Sequence, residues 1–284
     1  MTQVSFDGYT LTGPTPDGGV ARLVGSDGLE GWFSKSLRRD RVGKSQQDGA
    51  WASVGNSDAL TITLRGQVVY KDALSAATGR RNMLALGGRQ ESELTVDDAL
   101  GSGTRLVETD ALSVSVVRDT MVQVAFAVTA CDPLLYGPQV FAQTSLAATG
   151  AGTGLTYPLA YPLDYGVPAG VTPGAITVAN AGTASYFPRL RIDGPVTNPV
   201  VTLVETGDVV RFKGAIAAGQ HLDINWGTPR RVTLGDNAVN MRHKVSYTGN
   251  WLAVPVGGGS ISYTADDANP AALLSVWSYE GAWE

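Results

Sequence analysis

Apolar and polar residues alternate with a period of two over much of this chain, the pattern of half-buried strands rather than of helices. Leu112, Val114 and Val116 face one way, "RDT" turns, and Val122, Val124, Phe126 and Val128 return toward the same core, which predicts a hairpin. "LTITLRGQVVY" (Leu60 to Tyr70) alternates well enough for a strand pair or one bent strand. In the second half, short strands follow at close spacing: "AITVAN", "YFPRLRIDG", "PVVTLVE", "DVVRFKG", "HLDINW", "RRVTL", "HKVSYTG", "WLAVPV", "SISYTA" and "LLSVWSYEGAW". The turns "TGD", "GDN" and "VGGG" separate some of them, and the set predicts an antiparallel β-sandwich. "KDALSAATGRRNMLALGG" (Lys71 to Gly88) is the single plausible helix, with Gly79 weakening it.

Between these patterned stretches lie two that carry no clean period. "GLEGWFSKSLRRDRVGKSQQDGAW" is long and polar, flanked by Trp32 and Trp51, and reads as an exposed loop between strands. "ACDPLLYGP" (Ala130 to Pro138) ends the first sheet with two prolines and a glycine. Three segments are therefore expected: a β-rich domain over 1–138, an extended connector over 139–172, and a β-sandwich over 173–284. The connector contains "GLTYPLAYPLDYG". Two prolines four residues apart exclude a helix interior, so the segment is extended. Tyr157, Leu159, Tyr161, Leu163 and Tyr165 then share one apolar face, which needs another domain or another subunit to cover it.

Composition narrows the function. A chain of 284 residues with 35 glycines and 17% charged residues suits a mainly β protein with many tight turns. The formal charge of −5, with no basic cluster beyond "RRDR", argues against sequence-specific nucleic-acid binding. No apolar run reaches the roughly 20 residues of a membrane helix. The lone Cys131 forms no internal disulfide, and "MTQVSFDGYTL" lacks a signal-peptide pattern, so folding in a cytoplasm is expected.

Candidate chemistry is sparse. One cysteine and two histidines, His221 and His243, are too few to close a Cys/His zinc site, and neither a metal nor a cofactor is expected. "HLDIN" puts His221, Asp223 and Asn225 on one strand face. A functional reading makes that face a sugar or metal site; the plainer one is a solvated face opposite Leu222 and Ile224. The pairs Asp97–Asp98 and Asp266–Asp267 are adjacent, so on a strand their carboxylates point apart, and turn or cap duty is the better account. "GAGTG" (Gly150 to Gly154) and "GSGT" (Gly101 to Thr104) lack the following Lys-Ser or Lys-Thr of a phosphate loop and read as flexible connectors. No G-x-S-x-G elbow occurs, and the expectation is a non-enzyme. Trp226, Trp251 and Trp277 fall in strand patterns where core packing is the common explanation.

Several motifs in order resemble those of one family. They are Asn180 and Gly182, Tyr186 to Pro188, "IDGPVTNP" (Ile192 to Pro199), "TGDVVRF", "AGQHLDINW" followed by "RRVTL", and a closing "VWSYEGAW". Together they resemble the distal tail proteins of long-tailed, non-contractile bacteriophages. The first half is similar more loosely, through "GLEGWF", "DGAW" and "VAFAVTACDPLLYG". "YPLAYPLDYG" is similar to connectors in minor tail proteins of phages that infect actinobacteria. The resemblance implies a first, ring-forming belt domain with one short helix and a galectin-like second sandwich. It implies a homo-hexameric hub in the virion, at the distal end of the tail, assembled in the host cytoplasm. The hub would join the tail tube protein to a tail-tip or tail-associated lysin protein, leave a channel for DNA, and offer a mount for receptor-binding proteins. A galectin-like fold raises the alternative of an accessory carbohydrate-binding adsorption module, but no "HNPRF" or "WGxE" sugar motif is present, and "HLDINW" departs from it.

Overall fold

A computed structural model describes residues 2–25, 28–45, 47–88, 91–99, 101–146, 174–227, 230–266, 269 and 271–284. It is mainly β with one α-helix, and the chain divides into two compact units: residues 1–138 with Trp283–Glu284, and Gln139–Ala282.

In the first unit the alternation seen in sequence becomes one long antiparallel sheet. Its main path runs Tyr9–Thr10, Gln3–Phe6, Ser92–Asp98, Gly101–Arg118, Met121–Ala130, Leu60–Val69, Val20–Leu23 and Gly13–Pro14. The strand Gly101–Arg118 is the device that curls it. Its first half pairs with Ser92–Asp98 and its second half with Met121–Ala130, with register shifts between Thr109 and Ala111 and between Val116 and Arg118. Such bulges bend a strand and increase its twist. The sheet nearly closes on itself, so that Phe6 meets Phe126 at 5.0 Å between ring centroids. Val4, Phe6, Leu94 and Val96 share one core with Ile62, Leu64, Val124 and Val128.

The hairpin forms with Leu112 opposite Phe126 and Val114 opposite Val124, but Val116 is 50% exposed and lies outside the core. "LTITLRGQVV" is one ten-residue strand. "GSGT" is the start of the long strand and not a flexible connector, because Gly101, Ser102, Gly103 and Thr104 all pair with Asp98 to Thr95.

The helix spans Ala73–Leu84, capped by Asp72, whose Oδ1 accepts from the Ser75 N–H at 2.7 Å. Ala76, Gly79 and Met83 form its buried stripe. Gly79, a weak point by propensity, is required by contact: a Cβ there would run into the Tyr70 hydroxyl. Tyr70 in turn sits in a polar knot with Tyr9 (3.3 Å) and Asp17, whose Oδ1 accepts from Tyr9 at 3.0 Å and from Thr15 at 2.6 Å. Burial pushes the Tyr70 phenol up to about 12 and the Tyr9 phenol higher still.

Among its described residues the second unit contains a two-stranded pair, Val196–Thr197 with Ala215–Ile216, and two main antiparallel sheets. One runs Gln139–Ser145, Leu273–Tyr279, Arg189–Asp193, His221–Asn225, Arg231–Leu234 and Val239–Asn240; the other runs Gly174–Val178, Gly259–Thr264, Val200–Leu203, Asp208–Phe212 and Val245–Thr248. Each buries one face, through Leu190, Ile192, Leu222, Ile224, Leu274 and Val276 in the first and Val201, Leu203, Val210, Phe212, Ile261 and Tyr263 in the second. Gln139–Ser145, at the start of the span read as a connector, is a strand registered along Leu273–Tyr279. "WLAVPV" is not a strand: Trp251 and Leu252 occupy left-handed turn positions with φ of 54° and 61°, and only Val254 bridges to Tyr186.

The motif residues Asn180, Gly182 and Tyr186 turn out to tie the second unit together. Asn180 is buried; its amide shares two N–H groups among the carbonyls of Ala184, Val254 and Pro255, while its Oδ1 accepts from the Gly182 and Ala282 N–H groups. The Tyr186 hydroxyl lies 2.8 Å from the Tyr279 carbonyl and 3.0 Å from that of Ala179, and accepts from the Tyr279 N–H at 3.1 Å. Gly182 has no room for a side chain against the Ala282 backbone.

Candidate functional site

An uncovered, partly apolar feature of the first unit is the stretch read as a polar loop. It forms a narrow ribbon of two short antiparallel pairs, Leu37–Arg38 with Asn56–Ser57 and Arg41–Gly43 with Ala50–Ala52. Hydrophobic periodicity could not reveal it because both faces are in solvent. Leu37, Val42, Trp51 and Val54 are 46%, 66%, 70% and 88% exposed. Val42 stands opposite Trp51, and the Lys44 ammonium lies 4.9 Å over the Trp51 ring. Ser57 and Lys35 at the base of the ribbon hold the Glu284 carboxylate, the latter at 3.4 Å, which keeps that carboxyl below its ordinary range.

Residues 35–58 carry five Lys or Arg against three Asp, whereas the rest of residues 1–138 carries eight against thirteen acidic residues. The ribbon is therefore a basic, partly apolar arm on an acidic body, the charge arrangement of a surface that seeks a complementary partner.

Next to the base of the arm, an apolar pocket of about 420 Å³ is lined by Trp32, Phe33, Val96, Leu135 and Trp283, with the Gly101–Gly103 backbone and Asp98. Arg105 holds its wall: the guanidinium is buried 5.3 Å from the Trp32 ring and donates to the carbonyls of Pro133 and Trp32. Burial lowers its pKa, with Asp132 opposing that shift. Phe33, at the mouth, is 79% exposed.

His221, Asp223 and Asn225 do share a strand face, as alternation requires, but each is engaged by its own neighbours. His221 Nε2 lies 3.3 Å from Asp223 and 4.0 Å from Asp236; Asp223 accepts from Arg189 at 3.2 Å; Asn225 Oδ1 accepts from the Gly227 N–H at 3.0 Å. Arg189 also covers Trp277, whose ring packs against Phe141, so Trp277 is half-buried on this outer face rather than in the core. Trp226, by contrast, is a core side chain at 2% exposure.

Tyr157, Leu159, Tyr161, Leu163 and Tyr165 lie outside the described residues. Asp98 ends its strand opposite Gly101, and Asp266 accepts from the Asn198 amide at 2.6 Å, which is turn duty; Asp267 lies outside the described residues. Among the described residues no three His, Cys, Asp or Glu side chains group as a metal site would require, and no helix is long and apolar enough to cross a membrane.

No protein-family model matches the chain, and no curated protein matches it. Solved structures do. The Dit protein (gp 19.1) of phage SPP1, described as a paradigm of hub adsorption apparatus in Gram-positive infecting phages, aligns over 98% of this chain and 99% of its own at 13% identity, with a TM-score of 0.54. A chain of the phage P2 baseplate in its activated conformation with Ca aligns over 98% of both chains at 11% identity and a TM-score of 0.54. Its counterpart with Sr aligns over 98% of both at 10% identity and a TM-score of 0.56. At such identities the likeness is one of fold: across nearly its whole length, this chain is folded like phage tail-hub and baseplate chains.

Proposed function

We propose that the chain is a structural, non-catalytic component of a bacteriophage tail, a distal tail hub of the Dit type. The observation that carries this reading is the alignment of the entire chain, rather than one sheet of it, with a hub protein and with baseplate chains. In this reading the first unit is the ring-forming belt and the second a galectin-like sandwich. Six copies close a ring with a channel for DNA, between the tail tube protein above and a tail-tip or tail-associated lysin protein below, with receptor-binding proteins as further partners. A phage of actinobacteria is the proposed source, on the resemblance of residues 157–166.

The arm and pocket of the first unit support ring formation. An exposed knob carrying Val42, Trp51 and Val54, and a separate apolar hole beside Phe33, are two unlike surfaces on one chain. Contact between unlike surfaces is heterologous, and repeated by rotation it closes into a ring. Tyr157, Tyr161 and Tyr165, with Leu159 and Leu163, are proposed as a second contact, between units or between copies.

The alternative, a carbohydrate-binding adsorption module using His221, Asp223 and Asn225, draws less support, because His221 and Asp223 already engage each other and Arg189, and Asn225 engages the Gly227 N–H. Light scattering across a concentration series, with negative-stain images of the same fractions, tests the proposal. A mass near six chains and a central hole are expected. A monomer at every concentration, also after co-expression with the adjoining tail proteins, overturns it.

A further inference from the structure

The second unit carries a basic aromatic edge that none of its internal contacts uses up. Val245–Thr248 is the terminal strand of the five-stranded sheet, registered to Asp208–Phe212 on one side and, among the described residues, to no strand on the other. Its Tyr247 is half exposed and stacks on Trp251 with ring centroids 3.3 Å apart, and Trp251 leans on Trp226 at 3.8 Å. The two consecutive left-handed residues Trp251 and Leu252 put the indole there, a conformation that costs a side-chain-bearing residue energy. The Arg242 guanidinium covers both indoles, at 5.4 and 5.5 Å.

Cations flank the same edge on both faces, because Arg211 alternates with Val210, the partner of Tyr247. Arg242 and Lys244 come from the short 3-10 turn that leads into the strand; the Lys213 N–H bonds the Lys244 carbonyl; Arg211 lies opposite Ser246; and Arg230 faces Arg242 across the small gap beside Trp226. These five are exposed, make up most of the eight Lys and Arg in residues 139–282, and join no ion pair among the described residues. The nearby acids are occupied elsewhere: Asp208 by the Asn250 N–H, Asp223 by Arg189 and His221.

From this juxtaposition we infer that the open edge of Val245–Thr248 is a docking site for an acidic, extended segment of another protein, which adds as a strand. Three features select that occupant. The gap beside Trp226 is only about 10 Å³, too small to admit a sugar or nucleotide. The free strand edge offers backbone donors and acceptors that only another backbone matches in register. The uncompensated cations select negative side chains. Lysines alone would serve to guard an edge against self-pairing, but the exposed Tyr247, stacked on a half-buried Trp251, adds apolar surface where a guarded edge would shed it. The inference rests on the second unit's own geometry and holds whether or not the chain is a tail hub.

The test uses the full chain and a fluorescein-labelled dodecapeptide of alternating Glu and Val, read by anisotropy and by tryptophan emission. Saturable binding that weakens with salt is expected. Lys213→Glu with Lys244→Glu should weaken it about tenfold or more, as two lost ion contacts would. Tyr247→Ser should weaken it with the melting temperature unchanged. A peptide with Pro at two central Val positions, unable to donate to the edge, should likewise bind about tenfold less tightly. No binding by the Glu-Val peptide overturns the proposal. So does equal binding of the Pro peptide or of dextran sulfate, since bare charge would then explain the result, and so does parent-like binding by the double Lys variant.

Discussion

The two units solve the same problem, burying one face of antiparallel sheet, by opposite means. The first bends a single sheet through the bulged strand Gly101–Arg118 until Phe6 reaches Phe126. The second keeps two sheets and fastens its turns with buried polar groups, Asn180 and Tyr186. A sheet that curls on itself is held by apolar packing, and the insertion from Lys35 to Asp58 is left outside the core as an arm. A unit fastened by hydrogen bonds depends on a few side chains, and among its described residues it leaves Tyr247 half exposed at a strand edge. The difference predicts where each unit breaks: the second at single polar atoms, the first at close contacts in its core.

The sharpest break is Asn180→Ala. It leaves the Gly182 and Ala282 N–H groups and the Ala184 carbonyl without their Asn180 partner, while the Val254 and Pro255 carbonyls keep the Tyr186 and Gly258 N–H groups, and should cost about 3 kcal/mol, since each buried orphan costs about 1–3 kcal/mol before relaxation. Hydrogen exchange should speed up across residues 174–282 while residues 3–136 keep their protection. Equal loss in both halves would mean that the polar knot does not define the second unit.

Next is Gly79→Ala, expected to cost about 2 kcal/mol against a helix-propensity gain of about 1 kcal/mol, because the new methyl overlaps the Tyr70 hydroxyl. Pairing it with Tyr70→Phe should return part of the loss, read by urea denaturation.

A third measurement separates the units by pH. Burial raises the Tyr9 and Tyr70 phenols, so the unfolded chain gives up its protons first. The stability they contribute is complete below about pH 10 and is lost as pH climbs through the folded value of Tyr70, about 12. Melting temperature should fall over that window, and Tyr9→Phe with Tyr70→Phe should flatten the fall in the first unit. Tyr186, also raised by burial, leaves the alkaline response of the second unit in place.

The smallest effect on stability, within about 0.5 kcal/mol, is expected from Trp51→Ser with Val54→Ser, because both side chains are in solvent. Yet this variant should show the largest change in self-association by light scattering. If assembly is unmoved, the arm is not the ring contact.

Sequence reading succeeded where one face is wet and the other dry. The hairpin at Leu112–Val128, the helix and most strands of the second half follow from alternation or a buried stripe. It failed where that contrast is missing. The arm has no dry side, so its strand pairs left no period. Gln139–Ser145 is largely exposed along its length and looked like linker. "WLAVPV" alternates for a different reason, since turn geometry buries Leu252 and Val254 while Trp251 goes to the stack. The basic aromatic edge was illegible because Arg211 with Lys213, Arg230, and the stretch from Arg242 to Trp251 are three separate segments that only folding brings together. The reading of Gly79 as a weakness was sound as propensity and blind to Tyr70.

The return of Trp283 and Glu284 to the first unit sets an order on biosynthesis. Trp283 walls the apolar pocket and Glu284 receives Lys35 and Ser57, yet both are translated only after the 144 residues from Gln139 to Ala282. At about 10 residues per second, roughly fifteen seconds separate the synthesis of the first unit from the arrival of its final side chains. For that interval the nascent belt has an unfinished pocket and an untethered arm. If arm and pocket are the ring contacts, a nascent chain that has not yet reached Trp283 presents neither of them in finished form.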